Sequence, residues 1–157
     1  RRLVGAALAE DGIDEVLVVG HSSGAHLAVS VLADLIRAGE GPRDGGPALG
    51  LLTLGQVIPM MSFLPRASRL RADLAFLSAR GDLAWVDVTA PGDGCAFALC
   101  DPVAVSGVRP EGARWPLVIS AATGEGIDAL LDTIVDRLGS EARQAEEAVA
   151  EKAWSPL

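Results

Sequence analysis

Apolar residues along this chain fall into two alternating periods. Val16 to Val19 is an unbroken apolar run, as a strand buried on both faces of a parallel sheet requires. From Ala25 the period changes to helical. Ala25, Ala28, Val29, Leu32, Leu35 and Ile36 make one apolar face to about Ala38, while His26, Ser30, Asp34 and Arg37 make a polar stripe. The stripe predicts His26 at the solvent side or rim. The alternation then repeats: strand 49–54, helix 66–80 with Leu70, Leu74 and Leu77 inside, strand 84–89, strand 116–120, and a helix carrying Ile127, Leu130, Leu131, Ile134, Val135 and Leu138. A short helix over residues 2–10 precedes the first strand and stops at Gly12. Gly139 closes the last helix. Residues 39–46 form a surface loop and residues 55–65 an unusually apolar irregular one, suited to lining a hydrophobic pocket or packing under the next helix. The predicted architecture is α/β with three layers: about four mostly parallel strands with helices on both faces.

One junction carries chemistry. Gly20-His21-Ser22-Ser23-Gly24 stands where the first strand meets its helix. This is G-x-S-x-G in strand–turn–helix context, the pattern that lifts a serine hydroxyl out of the sheet. Ser22 is the candidate nucleophile. Gly20 and Gly24 are expected where Cβ atoms have no room, and the N–H of Ser23 as an oxyanion donor. His21 completes the frame of the site, its side chain turned from the Ser22 hydroxyl in a packing or hydrogen-bonding role.

Composition narrows the partners. Half the 157 residues are apolar, enough for a sizeable single core, and the net charge of −8 argues against nucleic acid or an anionic membrane surface. No apolar run approaches the length of a membrane span. Two cysteines, Cys95 and Cys100, are too few for a disulfide framework and lack a metal-ligand set, so neither a metal nor a cofactor is expected.

Residues 16–33 resemble the nucleophile elbow of esterase- and lipase-like α/β-hydrolases. Leu51-Leu52-Thr53-Leu54-Gly55 and Trp85-Val86-Asp87-Val88-Thr89-Ala90-Pro91-Gly92-Asp93-Gly94 resemble later strands of a bacterial branch. The resemblance covers about residues 1–120 and implies a carboxylic-ester hydrolase working through an acyl-enzyme on a small ester. Asp93 then stands in the loop of the triad acid, in the order Ser, Asp/Glu, His, with Asp101 and Asp87 as lesser candidates; the alternative is that Asp93 only forms its turn. The histidine is lacking, because none follows His26. The second oxyanion donor is expected upstream of Arg1, and the chain is expected to be a truncated piece, cytoplasmic in location and inactive alone.

The last forty residues resemble something else. Ser120-Ala121 with Thr-Gly-Glu-Gly and an Ile/Leu helix is similar to the base-contacting loop of GTPases, and the closing Glu-Lys-Ala-Trp-Ser-Pro-Leu is similar to the end of Obg-type GTPases. Neither a phosphate loop nor an N-K-x-D motif accompanies them. The chain is therefore expected to divide into a hydrolase-like part (1–120), a GTPase-like loop and helix completing the same layer (121–140) and a loose tail (141–157), with a seam near residues 118–122. The rival readings are a non-catalytic α/β module or fusion product, and a remnant of a GTP-binding protein.

Overall fold

A computed structural model describes residues 1–137, 139 and 140. Two compact units are present, one spanning Arg1–Glu125 and a second starting at Gly126. The first holds α1 (Arg2–Leu8), β1 (Glu15–His21), α2 (Gly24–Arg37), β2 (Ala48–Leu54), α3 (Ile58–Ser62), α4 (Ser68–Ser78), β3 (Leu83–Thr89), α5 (Pro102–Val105) and β4 (Leu117–Ser120). In the second, residues 127–137 are helical, and the expected spacing of Ile127, Leu131, Ile134 and Val135 falls on that helix. Leu138 and the expected loose tail, with its Obg-like ending, lie outside the described residues.

The sheet is wholly parallel, in the order β1-β2-β3-β4. Each crossover moves one strand in the same direction. Right-handed crossovers of that kind all fall on one side, because placing helices on both faces needs a reversal of strand order. Burial follows this logic. Leu49, Leu51 and Thr53 in β2 and Leu83, Trp85, Asp87 and Thr89 in β3 are buried on the helical face, while the alternate positions of both strands are only half-buried. Within the first unit the expected three layers are thus two, with α2, α3, α4 and α5 in mutual contact as one layer. β1 is an edge strand, not the central one its apolar run predicts. Leu17 and Val19, expected to be buried, are 55% and 53% exposed.

The core lies between α2, α4 and the sheet. Ala25, Val29, Leu32, Ala33 and Leu35 of α2 meet Leu74 and Leu77 of α4 over Leu51, Leu83 and Trp85, all essentially solvent-free. α2 ends as the sequence predicts. Gly39 takes a φ of 74°, its N–H donates to the Ile36 carbonyl, and the Glu40 N–H reaches back to that of Leu35. The irregular stretch 55–65 is partly ordered as α3, with Ile58 and Pro59 buried and Met60, Met61, Phe63 and Leu64 exposed. Among the described residues, no helix is long and apolar enough to cross a membrane.

The polar stripe of α2 faces α4 rather than open solvent. Arg37 pairs with the buried carboxylate of Asp73 and stacks 4.5 Å over the Phe76 ring; Arg69 pairs with Asp34 and lies 3.7 Å from Asp73. A buried carboxylate that loses its cation is costly. Arg37→Ala is expected to lower unfolding free energy by about 2 kcal/mol, below the fully buried range because Arg37 is partly solvated and Arg69 stays nearby. Adding Asp73→Asn should recover part of the loss in urea melts. A change under about 0.5 kcal/mol would show that this pair does not hold the two helices together.

Candidate active site

β1 ends in a sharp bend. The Ser22 N–H donates to the Leu54 carbonyl at 2.9 Å, extending the β1–β2 ladder by one step. The chain then reverses: Ser22 adopts a φ of 54°, a left-handed conformation that strains a residue bearing Cβ. The Ala25 N–H returns to the Ser22 carbonyl at 3.1 Å, and α2 starts at Gly24 with Ser23 as its N-cap.

The glycines play unequal parts. A Cβ at Gly20 would lie 2.8 Å from the Ala25 Cα, 3.0 Å from the Gly24 carbonyl oxygen and 3.1 Å from the Ala28 Cβ, so α2 sits against bare backbone there. At Gly24 a Cβ would meet nothing within 4 Å, which corrects the expectation that this position is crowded. The bend needs one small residue beneath it, not two. Ser22 is half-buried and, among the described residues, its hydroxyl makes no hydrogen bond; the Ser23 N–H is likewise unengaged.

Asp93 lies in the turn after β3. Its Oδ1 accepts from the N–H groups of Cys95 (3.0 Å) and Ala96 (3.3 Å), and its Oδ2 lies 3.2 Å from where a Cβ on Gly55 would stand. Gly55 directly follows Leu54, whose carbonyl holds the Ser22 N–H. Ser22 and Asp93 are therefore gathered at the same end of β2. The other acids are placed differently. Asp101 caps α5, accepting from Val103 (2.8 Å) and Ala104 (3.1 Å), and pairs with Arg109. Asp87 is fully buried on the helical face of β3.

Neither histidine hydrogen-bonds to Ser22 or Asp93. His21 is exposed and continues the row of Leu17 and Val19 on the face away from the helices. His26 is half-buried on α2, and its Nδ1 is enclosed without a hydrogen-bond partner. Both cysteines are free thiols, with burial and the nearby negative charges of Asp101 and Asp87 raising that of Cys100. In the GTPase-like loop, Ser120 is buried and its hydroxyl accepts from the Thr123 N–H at 3.1 Å, so it serves its own turn. Among the described residues, no three metal-ligating side chains converge.

A polar column that hydropathy patterning did not reveal supports the loop of Asp93. The Trp85 indole donates to the Thr53 hydroxyl at 3.0 Å, which donates to Asp87 Oδ1 at 2.6 Å. Gln56, also fully buried, accepts from the Ile58 N–H at 2.9 Å and directs its amide to the carbonyls of Phe97 and Cys100. Asp87 Oδ2 has no hydrogen-bond partner among the described residues. Burial pushes the Asp87 carboxyl from an ordinary 3.8 up to about 6; Thr53 and the neighbouring Gln56 offset part of that rise, and the charge of Asp101 adds to it. Thr53 and Asp87 interrupt apolar alternation at positions whose neighbours face the core, and that was the available sign.

No protein-family model, curated protein or solved structure matches this chain.

Gly20→Ala should cost about 2 kcal/mol by overpacking, whereas Gly24→Ala should stay within about 0.5 kcal/mol of the parent. Equal effects in denaturant melts would mean that the contact with Ala25 does not set the bend. Because the fold raises the Asp87 pKa, it favours the neutral acid. That stability is fully present below about pH 4 and is lost as pH rises through about 6. Asp87→Asn should thus be more stable than the parent at pH 8, by up to about 3 kcal/mol, with the gap closing below pH 4. A pH-independent difference in thermal midpoint would contradict an ionising buried Asp87.

Proposed function

We propose that this chain carries the nucleophile half of a serine ester hydrolase of the α/β-hydrolase kind, with Ser22 as nucleophile and the Ser23 N–H as one oxyanion donor. The observation that supports it best is the left-handed φ of Ser22 between a parallel strand and its helix. Strain of about 1–3 kcal/mol at a non-glycine residue persists where surrounding structure over-determines it, and such residues cluster at active sites. Here the strain falls on a serine whose hydroxyl has no hydrogen-bond partner among the described residues, next to the Ser23 N–H at the start of α2. Asp93 supports the reading by position. Its Oδ1 braces its own turn, leaving Oδ2 as the atom available to orient a base.

Ancestry and turnover are separate matters for this chain. Ser22 needs a base to take its proton as the carbonyl is attacked. With neither histidine bonded to it, these residues alone are expected to turn over esters near background, since losing that base costs on the order of 10⁶ in kcat in a serine protease series. The GTPase-like ending is read as an appended segment without nucleotide chemistry of its own.

A fluorophosphonate probe, with and without added imidazole as a substitute base, tests this. Slow labelling that imidazole accelerates and Ser22→Ala abolishes is the expected result. A folded sample that takes no label at Ser22 under either condition would favour the non-catalytic module.

A further inference from the structure

A second feature of the first unit lies one helical turn beyond the bend. A cavity of about 300 Å³ opens between α2 and the α3–α4 connection, walled by Met61, Leu64 and Leu70, with His26, Ser30 and Arg66 at its polar positions. Ala67 completes the lining, at the start of α4. Neither Ser22 nor Asp93 lines it, so a ligand held there is independent of the hydrolase reading.

The charges around it are accounted for except one. Arg69 is held by Asp34 and Asp73, and Arg37 by Asp73. Arg71 donates to the carbonyls of Ser62, Leu64 and Pro65. Arg66 has no ion pair or hydrogen bond among the described residues, in a chain whose net charge is −8. The nearest acid along α2, Asp34, is already neutralised by Arg69. His26 also lines the cavity; its Nδ1 is enclosed without a partner, while its Nε2 is neither enclosed nor bonded to a described residue and is the ring nitrogen left for a ligand. An arginine and an imidazole among the lining residues, together with methionine and leucine side chains, match an anion with an apolar tail.

We propose that this cavity binds a small aliphatic carboxylate. The guanidinium of Arg66 takes the carboxylate, His26 and the Ser30 hydroxyl supply further hydrogen bonds, and the chain covers Met61, Leu64 and Leu70. A carboxylate fits better than inorganic phosphate, which would leave those apolar walls wet. The volume sits at the lower end of ligand cavities and suits a short chain rather than a nucleotide.

Calorimetric titration of the 157-residue chain with octanoate, and separately with 1-octanol, tests the proposal. Octanoate should bind saturably and at least tenfold more tightly than the alcohol. Arg66→Gln should weaken octanoate at least tenfold without lowering the thermal midpoint, because Arg66 is exposed and holds no structural partner among the described residues. Ser22→Ala should leave binding unchanged while abolishing phosphonate labelling. Equal affinity for acid and alcohol, or an Arg66→Gln protein that binds octanoate normally, would reduce the cavity to an apolar dimple and overturn the proposal. Absence of saturable binding would overturn it outright. Loss of octanoate binding in Ser22→Ala would move the acid to the bend and overturn it as well.

Discussion

The close approach of α2 to the backbone of Gly20 is the contact on which this unit is arranged. With only hydrogen at that Cα, Ala25 and Ala28 of the helix come within van der Waals reach of the strand. So tight a return leaves no room for a gradual connection, and Ser22 absorbs the reversal by adopting a left-handed φ. The ladder bond from Ser22 to Leu54 fixes the start of the bend, and the helix fixes its end. The residue so strained bears a hydroxyl without a hydrogen-bond partner among the described residues.

Around that junction the strand order decides the rest. Because β1 to β4 are neighbours in chain order, every helix of the layer falls on one side, and α2 must share that side with α4. The polar stripe of α2 becomes an interhelical seam, where Arg37, Arg69 and Asp34 meet Asp73. Beyond that seam, toward the start of α4, lies the cavity lined by His26 and Arg66. Side chains that a helical wheel assigns to water are thereby given partners or an enclosed space.

A buried polar column ties this scaffold to the loop that carries Asp93. Trp85, Thr53 and Asp87 link adjacent strands through side chains, while Gln56 clasps carbonyls at residues 97 and 100. The Leu99 N–H adds a bond to the Thr89 hydroxyl at 2.9 Å. A turn rich in glycine and alanine has few side chains with which to hold itself. These bonds supply the missing restraint at residues 97–100. The energetic cost is concentrated in Asp87, whose second oxygen has no partner among the described residues and whose carboxyl is accordingly displaced toward its neutral form.

The alternation of apolar periods was enough to place each strand, α2, α4 and the bend at Ser22, because those features depend on neighbours within a few residues: a strand face, a helical stripe, a glycine where backbones meet. It was enough, too, to end α2 near Ala38. It could not show that Val16 to Val19 belong to an edge, since an apolar run reads the same whether one face or both are covered. Nor could it separate Gly20 from Gly24, whose difference lies in which atoms of α2 come near. The buried column and the Arg66–His26 cavity are made by residues dozens of positions apart, and only packing brings them together. Local chain chemistry thus determined the strands, α1, α2, α4 and the bend at Ser22, but not the short helices α3 and α5; the order of strands, a property of the whole sheet, decided which side chains are buried, paired or left facing a cavity.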